Sequence, residues 1–184
     1  MKRRPCISAG ENKFVQDLFN MSFSIREGNA EDLDFLRAML YEAAFWRPTV
    51  SRPPIEEGLS HPELAKILQD WGRKGDAALV AISPEGGRIG GAWYRFWSDQ
   101  NHSFGYVGPD IPELGIAVVP DHRGRAVGSA LLEALLTLAA RRGVERISLS
   151  VEEENPARRL YLKHGFKRIA KVGNSWTMVA ETGA

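Results

Sequence analysis

The sequence predicts a single domain of mixed α/β class, with strands and helices interleaved along its 184 residues. Two observations predict it. Apolar residues recur at helical spacing in some stretches and at strand spacing in others. Between Leu114 and Val151 a strand, a leucine-rich helix and a second strand follow within about forty residues, the βαβ unit that makes a parallel pair through a right-handed crossover.

The elements follow in order. Ser22–Arg26 reads as a first strand. Asn29 caps a helix over Ala30–Ala44, with Glu31 and Asp32 in its first turn and Leu33, Leu36, Leu40 and Ala44 on one face. Arg47–Pro54 holds three prolines and is a loop. Pro62 opens a second helix that runs to about Trp71, with Gly72 and Gly75 at its end. Ala77–Ser83 and Ile89–Trp97 flank Pro84–Arg88, which carries hairpin-turn chemistry. Ser98–Pro112 is a long polar connection with a strand start at Phe104–Val107. Leu114–Val119 is a β-rich run, Arg125–Arg142 the strongest helix, and Gly143 its stop. Arg146–Val151 alternates as a strand, Pro156–His164 is a short helix, and Phe166–Lys171 and Ser175–Ala180 are final strands.

Composition narrows the function classes. Hydrophobic residues are 43% and charged residues 26%, the balance of a soluble globular chain. Lys plus Arg number 24 against 23 Asp plus Glu, a net charge of +1, which argues against a nucleic-acid partner. The single cysteine, Cys6, excludes a disulfide scaffold and a cysteine-rich zinc site, and the four histidines have no metal-ligand spacing, so no metal is expected. The most apolar run, Ala130–Ala140, is broken by Glu133 and Thr137 and is too short to span a bilayer, so no membrane partner is expected. Lys2, Arg3 and Arg4 precede no apolar stretch, which predicts a cytoplasmic rather than a secreted chain. Residues 1–20 read as a tail, with a docking arm as the alternative, ahead of a domain over 21–184.

The most informative stretch joins the β-rich run to the longest helix: Val119-Pro120-Asp121-His122-Arg123-Gly124-Arg125-Ala126-Val127-Gly128-Ser129. A strand-to-helix junction leaves backbone N–H groups pointing out of the helix start, at the positive end of its dipole. Gly124 and Gly128 clear space for a ligand, and Arg123 and Arg125 add charged donors. The chemistry suits a pyrophosphate. Gly-Lys-Ser/Thr of a P-loop and G-x-G-x-x-G of a dinucleotide fold are both missing from this junction.

A second motif follows: Asn155-Pro156-Ala157-Arg158-Arg159-Leu160-Tyr161-Leu162-Lys163-His164-Gly165-Phe166. Together the two resemble the GNAT superfamily of acyl-CoA-dependent N-acetyltransferases. The family's R/Q-x-x-G-x-G/A after V-x-P compares with Arg123–Gly128 after Val118-Val119-Pro120. Its N-x-x-A-x-x-L-Y-x-x-x-G-F is matched in register by Ala157, Leu160, Tyr161, Gly165 and Phe166. Two departures stand out. Ala126 takes a position usually held by glycine, and is expected to lie within the helix at negative φ. Asn155 sits one residue nearer Ala157 than usual.

The resemblance implies a central mixed twisted sheet of about six or seven strands flanked by about four helices. It implies acetyl-CoA as cosubstrate, its pyrophosphate held by the backbone of Arg123, Gly124, Arg125, Ala126, Val127, Gly128 and Ser129, and its arm paired with Val118 and Val119. Asn155 either bonds the arm or caps the following helix. Tyr161 is implied as the acid that protonates the leaving thiolate, a role open to a phenol that stays protonated at neutral pH, with an interior tyrosine as the alternative. Glu113 is the candidate base, its flanking Pro112 and Leu114 raising its pKa by desolvation, or else a solvated carboxylate. The acceptor pocket is expected from the first helices and the strand Gly91–Trp97, with Trp46, Arg47, Trp93 and Arg95 as candidate contacts. Arg95 either orients a carboxylate or is a core arginine. The acceptor is expected to be a small-molecule primary amine attacked directly, in a monomer or homodimer. A non-catalytic acyl-CoA sensor is the alternative.

Overall fold

The computed structural model describes residues 23–48 and 50–183. The tail expected over residues 1–20 lies outside them. The strands are β1 (Ser24–Glu27), β2 (Ala77–Ile82), β3 (Arg88–Arg95), β4 (Glu113–Val118), β5 (Arg146–Glu152), β6 (Lys167–Val172) and β7 (Ser175–Glu181). The α-helices are α1 (Leu33–Ala44), α2 (Ile55–Ser60), α3 (Pro62–Leu68), α4 (Val127–Arg141) and α5 (Ala157–Lys163), five among the described residues where about four were expected.

All seven strands form one sheet in the order β1-β2-β3-β4-β5-β7-β6. Every neighbouring pair is antiparallel except β4 and β5, the parallel pair that the βαβ pattern predicts. Where β3 and β4 pair over six positions, β4 and β5 meet only at Glu113 opposite Ser148. Beyond that point the two strands part.

Both faces of the sheet centre are covered, because β2 and β3 are apolar on both faces. Val127, Leu131, Leu132, Leu135 and Ala139 of α4 pack on one face with Tyr94, Leu114, Ile147, Leu149 and Val151. Leu36, Met39 and Leu40 of α1 pack on the other with Trp93 and Ala117. The adjacent Gly90 and Gly91 mark the two sides: a Cβ on Gly90 would meet Leu131 at 3.0 Å, one on Gly91 Leu36 at 3.1 Å.

Three boundaries differ from expectation. The first helix opens with a 3₁₀ turn at Ala30–Asp32, where Asn29 Oδ1 accepts the Glu31 N–H and Asp32 accepts the Asn29 N–H. Asp32 is fully buried and bridged by Arg26 and Arg88; the hydrogen bond from Arg26 holds its carboxyl at a pKa of about 2. The helix expected from Pro62 stops at Leu68, and Ile55–Ser60, between the expected loop and that helix, forms a helix of its own. Phe104–Val107 forms no strand: the connection stays irregular apart from one bridge between Ser98 and Asn101. Among the described residues no helix is long and apolar enough to cross a membrane.

Candidate active site

The parting of β4 and β5 organises the site. Val119 N–H donates to Ile89 and Ser148 N–H donates to the Pro112 carbonyl. Backbone groups alternate sides along a strand, so Ile116 and Val118 turn their backbone toward β5, where the ladder has ended, with the Val118 carbonyl taken by Arg123 Nε; Val119, expected to pair with the arm, faces β3 instead. That free edge can take an extended ligand as an added strand.

At the end of β4 the chain passes through a 3₁₀ turn, Pro120–His122, and enters α4. The first intrahelical bond runs from Ala130 N–H to the Ala126 carbonyl, and no side chain caps the helix. The N–H groups of Val127, Gly128 and Ser129 are therefore open at the positive end of a 15-residue helix. Space is open as well: a Cβ on Gly124 would meet nothing within 4 Å, and one on Gly128 would make only ordinary contacts with Val118 and Leu160. These residues fit a pyrophosphate.

The expectation for Ala126 is overturned. Its φ is +63°, left-handed, and α4 starts only at Val127. Gly124 is left-handed too, at +75°. The cradle thus keeps the conformation that glycine favours and holds alanine in it under strain of about 1–2 kcal/mol.

The side chains of the cradle are less free than its backbone. Arg123 turns back from it: Nε donates to the Val118 carbonyl at 3.0 Å and Nη2 meets Glu42 of α1 at 2.6 Å. Glu42 also binds Arg52. Arg125 is exposed. Ser129 Oγ and His164 Nε2 lie 2.8 Å apart, tying the start of α4 to the end of α5. Asn155 does cap its helix, Oδ1 accepting the Ala157 N–H at 2.9 Å, which still leaves its amide nitrogen to donate.

A cavity of about 1160 Å³ lies on the α1 face of the sheet. The first helices, the connection over residues 102–107 and strands β3 to β7 line it. Glu113 stands in its wall, at the point where β4 and β5 part. Gly105 N–H donates to Glu113 Oε1 at 2.8 Å, while Oε2 is buried without a partner. Burial pushes the carboxyl up to a pKa of about 7, against the opposing bond from Gly105. Glu113 therefore changes charge near neutrality, the range that suits acid–base work at neutral pH.

Tyr161 occupies the other face. It belongs to the core under α4, packs edge-on against Phe166 at 5.7 Å and does not line the cavity. Burial raises its pKa, so it stays protonated. Glu113 and Tyr161 thus lie on opposite faces of the sheet.

The four expected acceptor contacts divide. Trp46, Trp93 and Arg95 line the cavity, and Arg47 does not. Trp93 lies flat over Gly115, where a Cβ would come within 2.5 Å of the indole. Trp46 buries its Nε1 without a partner. Arg47 stacks on Trp46 and pairs with Glu152 and Glu154, joining the loop after α1 to the end of β5. Arg95 is the core arginine, not a free carboxylate ligand. It is 1% exposed, pairs with Asp76 at 2.6 Å, and donates to the Lys66 and Gln69 carbonyls at the end of α3.

Sequence reasoning missed Ser103, whose hydroxyl is buried without a partner in the same cavity, as well as Gly105, Glu42 and Asp76. The first two lie in a connection with no periodicity to mark them. Glu42 and Asp76 act only through partners distant in sequence. Among the described residues no group of three or more His, Cys, Asp or Glu could hold a metal ion.

Comparison with known proteins bears on this arrangement. The model of the acetyltransferase (GNAT) family matches residues 39–166. A mycothiol acetyltransferase of Clavibacter michiganensis subsp. michiganensis (strain NCPPB 382) is 45% identical over 123 residues, covering 60% of this chain and 36% of that relative. The chain thus spans about a third of that relative's length. The PaiA N-acetyltransferase of Thermoplasma acidophilum, solved with coenzyme A, superposes with a TM-score of 0.65 at 22% identity, over 88% of this chain and 99% of its own. A phosphinothricin acetyltransferase of Sinorhizobium meliloti, solved with acetyl-CoA, gives 0.61 at 19% identity, over 88% and 89%. At these identities the two structures share the fold.

Proposed function

From the premise that this chain belongs to the acetyltransferase (GNAT) family, we propose that it transfers an acetyl group from acetyl-CoA to a primary amine by direct attack. The observation that carries the reading is Glu113, buried in a cavity wall with one carboxylate oxygen unpartnered, where the sheet opens toward the cradle. The complexes of the two fold relatives with coenzyme A and acetyl-CoA support the cosubstrate.

The cosubstrate supplies an activated acetyl carbonyl and a thiol leaving group. The open N–H groups of Val127, Gly128 and Ser129 bind its pyrophosphate, and the free edge of β4 at Ile116 and Val118 aligns its arm. An ammonium has no lone pair to attack with. Glu113, ionised above a pKa of about 7, takes the first proton from the acceptor nitrogen. The nitrogen then bonds to the acetyl carbon, and the carbon–sulfur bond breaks. Tyr161 gives its proton to the thiolate, and the second proton lost by the nitrogen replaces it.

Thermal shift with acetyl-CoA, followed by thiol release with amines, tests the reading. A ligand that binds only the native state at 100-fold excess over Kd adds about 2.7 kcal/mol. Tyr161→Phe should keep the shift and lose roughly 100-fold or more in kcat, since general-acid catalysis contributes about 10²–10⁴-fold. A full-rate Tyr161→Phe enzyme would remove the proton-donor role. Binding without turnover on any amine would instead favour an acyl-CoA sensor.

A further inference from the structure

The lining of the cavity says what kind of amine fits. We propose that the acceptor is a primary amine carried on an apolar, aromatic-sized body without a carboxylate or phosphate. This rests on the reading above of Glu113 as the group that receives the amine's proton.

The walls are aromatic. Phe45, Trp46, Trp93, Trp97, Phe104 and Tyr106 all face the cavity, the first four from the body of the domain and the last two from the connection before β4. A flat apolar body buries its surface against such walls, and an ammonium is drawn to indole faces.

Charge decides against an anionic acceptor. Among the described lining residues the one arginine is Arg95, and Asp76 and the carbonyls at the end of α3 occupy its guanidinium. Arg47, beside the cavity, is held by Glu152 and Glu154. His61 uses Nδ1 to accept the Glu63 N–H, and His102 sets Nδ1 against the Ser103 carbonyl. A carboxylate on the acceptor would be buried near Glu113 with no free guanidinium to meet it, at a cost.

A polyamine is served little better. Glu63 pairs with Lys66 and Glu152 with Arg47, which leaves Glu57 as the further acid on the lining for a second ammonium.

The unpaired polar groups complete the description. Glu113 Oε2 and Ser103 Oγ are buried and unpartnered, and Gly105, two residues after Ser103, bonds Glu113 directly. They form the amine end. Trp46 Nε1, also buried and unpartnered, lies under Arg47 near the end of β5. It has a hydrogen to donate and nothing to accept, so it suits an uncharged oxygen or a π face on the far side of the acceptor.

The test compares matched acceptors on the full chain with acetyl-CoA. Tryptamine and tryptophan differ by one carboxylate, as do phenethylamine and phenylalanine; spermidine and putrescine supply polycations. The expected order in kcat/KM is tryptamine above spermidine by at least tenfold and above tryptophan by at least a hundredfold. Calorimetry on the CoA-saturated protein should rank the same compounds in the same order without any chemistry. Tryptophan or spermidine equal to or better than tryptamine, in turnover and in binding, would overturn the proposal. Tryptamine that binds in the expected order but is never acetylated would uphold the acceptor class and sink the transfer reaction. Phe104→Ser, at a side chain that is 55% exposed, should fold normally. It should raise KM for tryptamine several-fold; an unchanged KM would count against an aromatic acceptor wall.

Discussion

Gly105 donates its backbone N–H to Glu113 Oε1 at 2.8 Å, and it can do so only because it is glycine: a Cβ there would lie 2.6 Å from the Leu149 carbonyl carbon and 2.7 Å from the Ser150 nitrogen. The connection before β4 is thus pressed against β5 beside the carboxylate. It satisfies one oxygen and leaves the other buried without a partner.

The buried carboxyl makes a prediction about stability and pH. Its folded pKa of about 7 lies above the ordinary value of 4.5. The folded state therefore binds the proton more tightly than the unfolded one, so stability is fully present below about pH 4.5 and declines as pH rises toward 7. The decline is at most about 3 kcal/mol, at 1.36 kcal/mol per unit. Glu113→Gln should be more stable than the parent at pH 8 and equal to it at pH 4, read by urea denaturation. Its activity should fall about 100-fold, and the rise of kcat/KM through pH 7 should vanish. A variant that keeps this limb would assign the titration to another group.

Ala126 predicts a gain. Ala126→Gly relieves the left-handed strain at φ +63° but increases the freedom of the unfolded chain. The net expectation is about 0.5–1 kcal/mol of stabilisation with an unchanged Kd for coenzyme A. A lower melting temperature would show that the cradle needs the Ala126 side chain.

Arg95 and Asp76 predict a loss. Arg95→Met leaves Asp76, whose side chain is 4% exposed, without its guanidinium, and frees the carbonyls ending α3. Breaking such a buried pair from one side costs about 3–5 kcal/mol. Asp76→Asn in the same chain should recover part of it, and a double-mutant cycle should give coupling of at least about 1 kcal/mol. Additive losses would mean that the two residues act separately.

Much of this was legible in the chain because it is local. Leu131, Leu132 and Leu135 announce α4 by their spacing, Gly143 announces its end, and the alternation of Ile147, Leu149 and Val151 announces β5. The cradle was legible for the same reason, since its glycines and the following helix start lie within a few residues. The resemblance added the role of the second motif. Ala126 was misread because its identity favours a helix, whereas the turn out of Pro120–His122 demands a left-handed residue before α4.

What the tertiary structure alone decided are the relationships across distance. Trp93 and Arg95 share a strand face and both line the cavity, yet one lies over Gly115 while the guanidinium of the other is consumed by Asp76 and the end of α3. Glu113 and Tyr161 come to opposite faces of the sheet. Ser103 and Gly105, in a segment without pattern, become the collar of the carboxylate. Periodicity and turn chemistry act between near neighbours and so can be read from order alone. Burial, the pairing of a charge and the direction of an unpartnered oxygen depend on which distant segments are pressed together, and only the folded chain settles that.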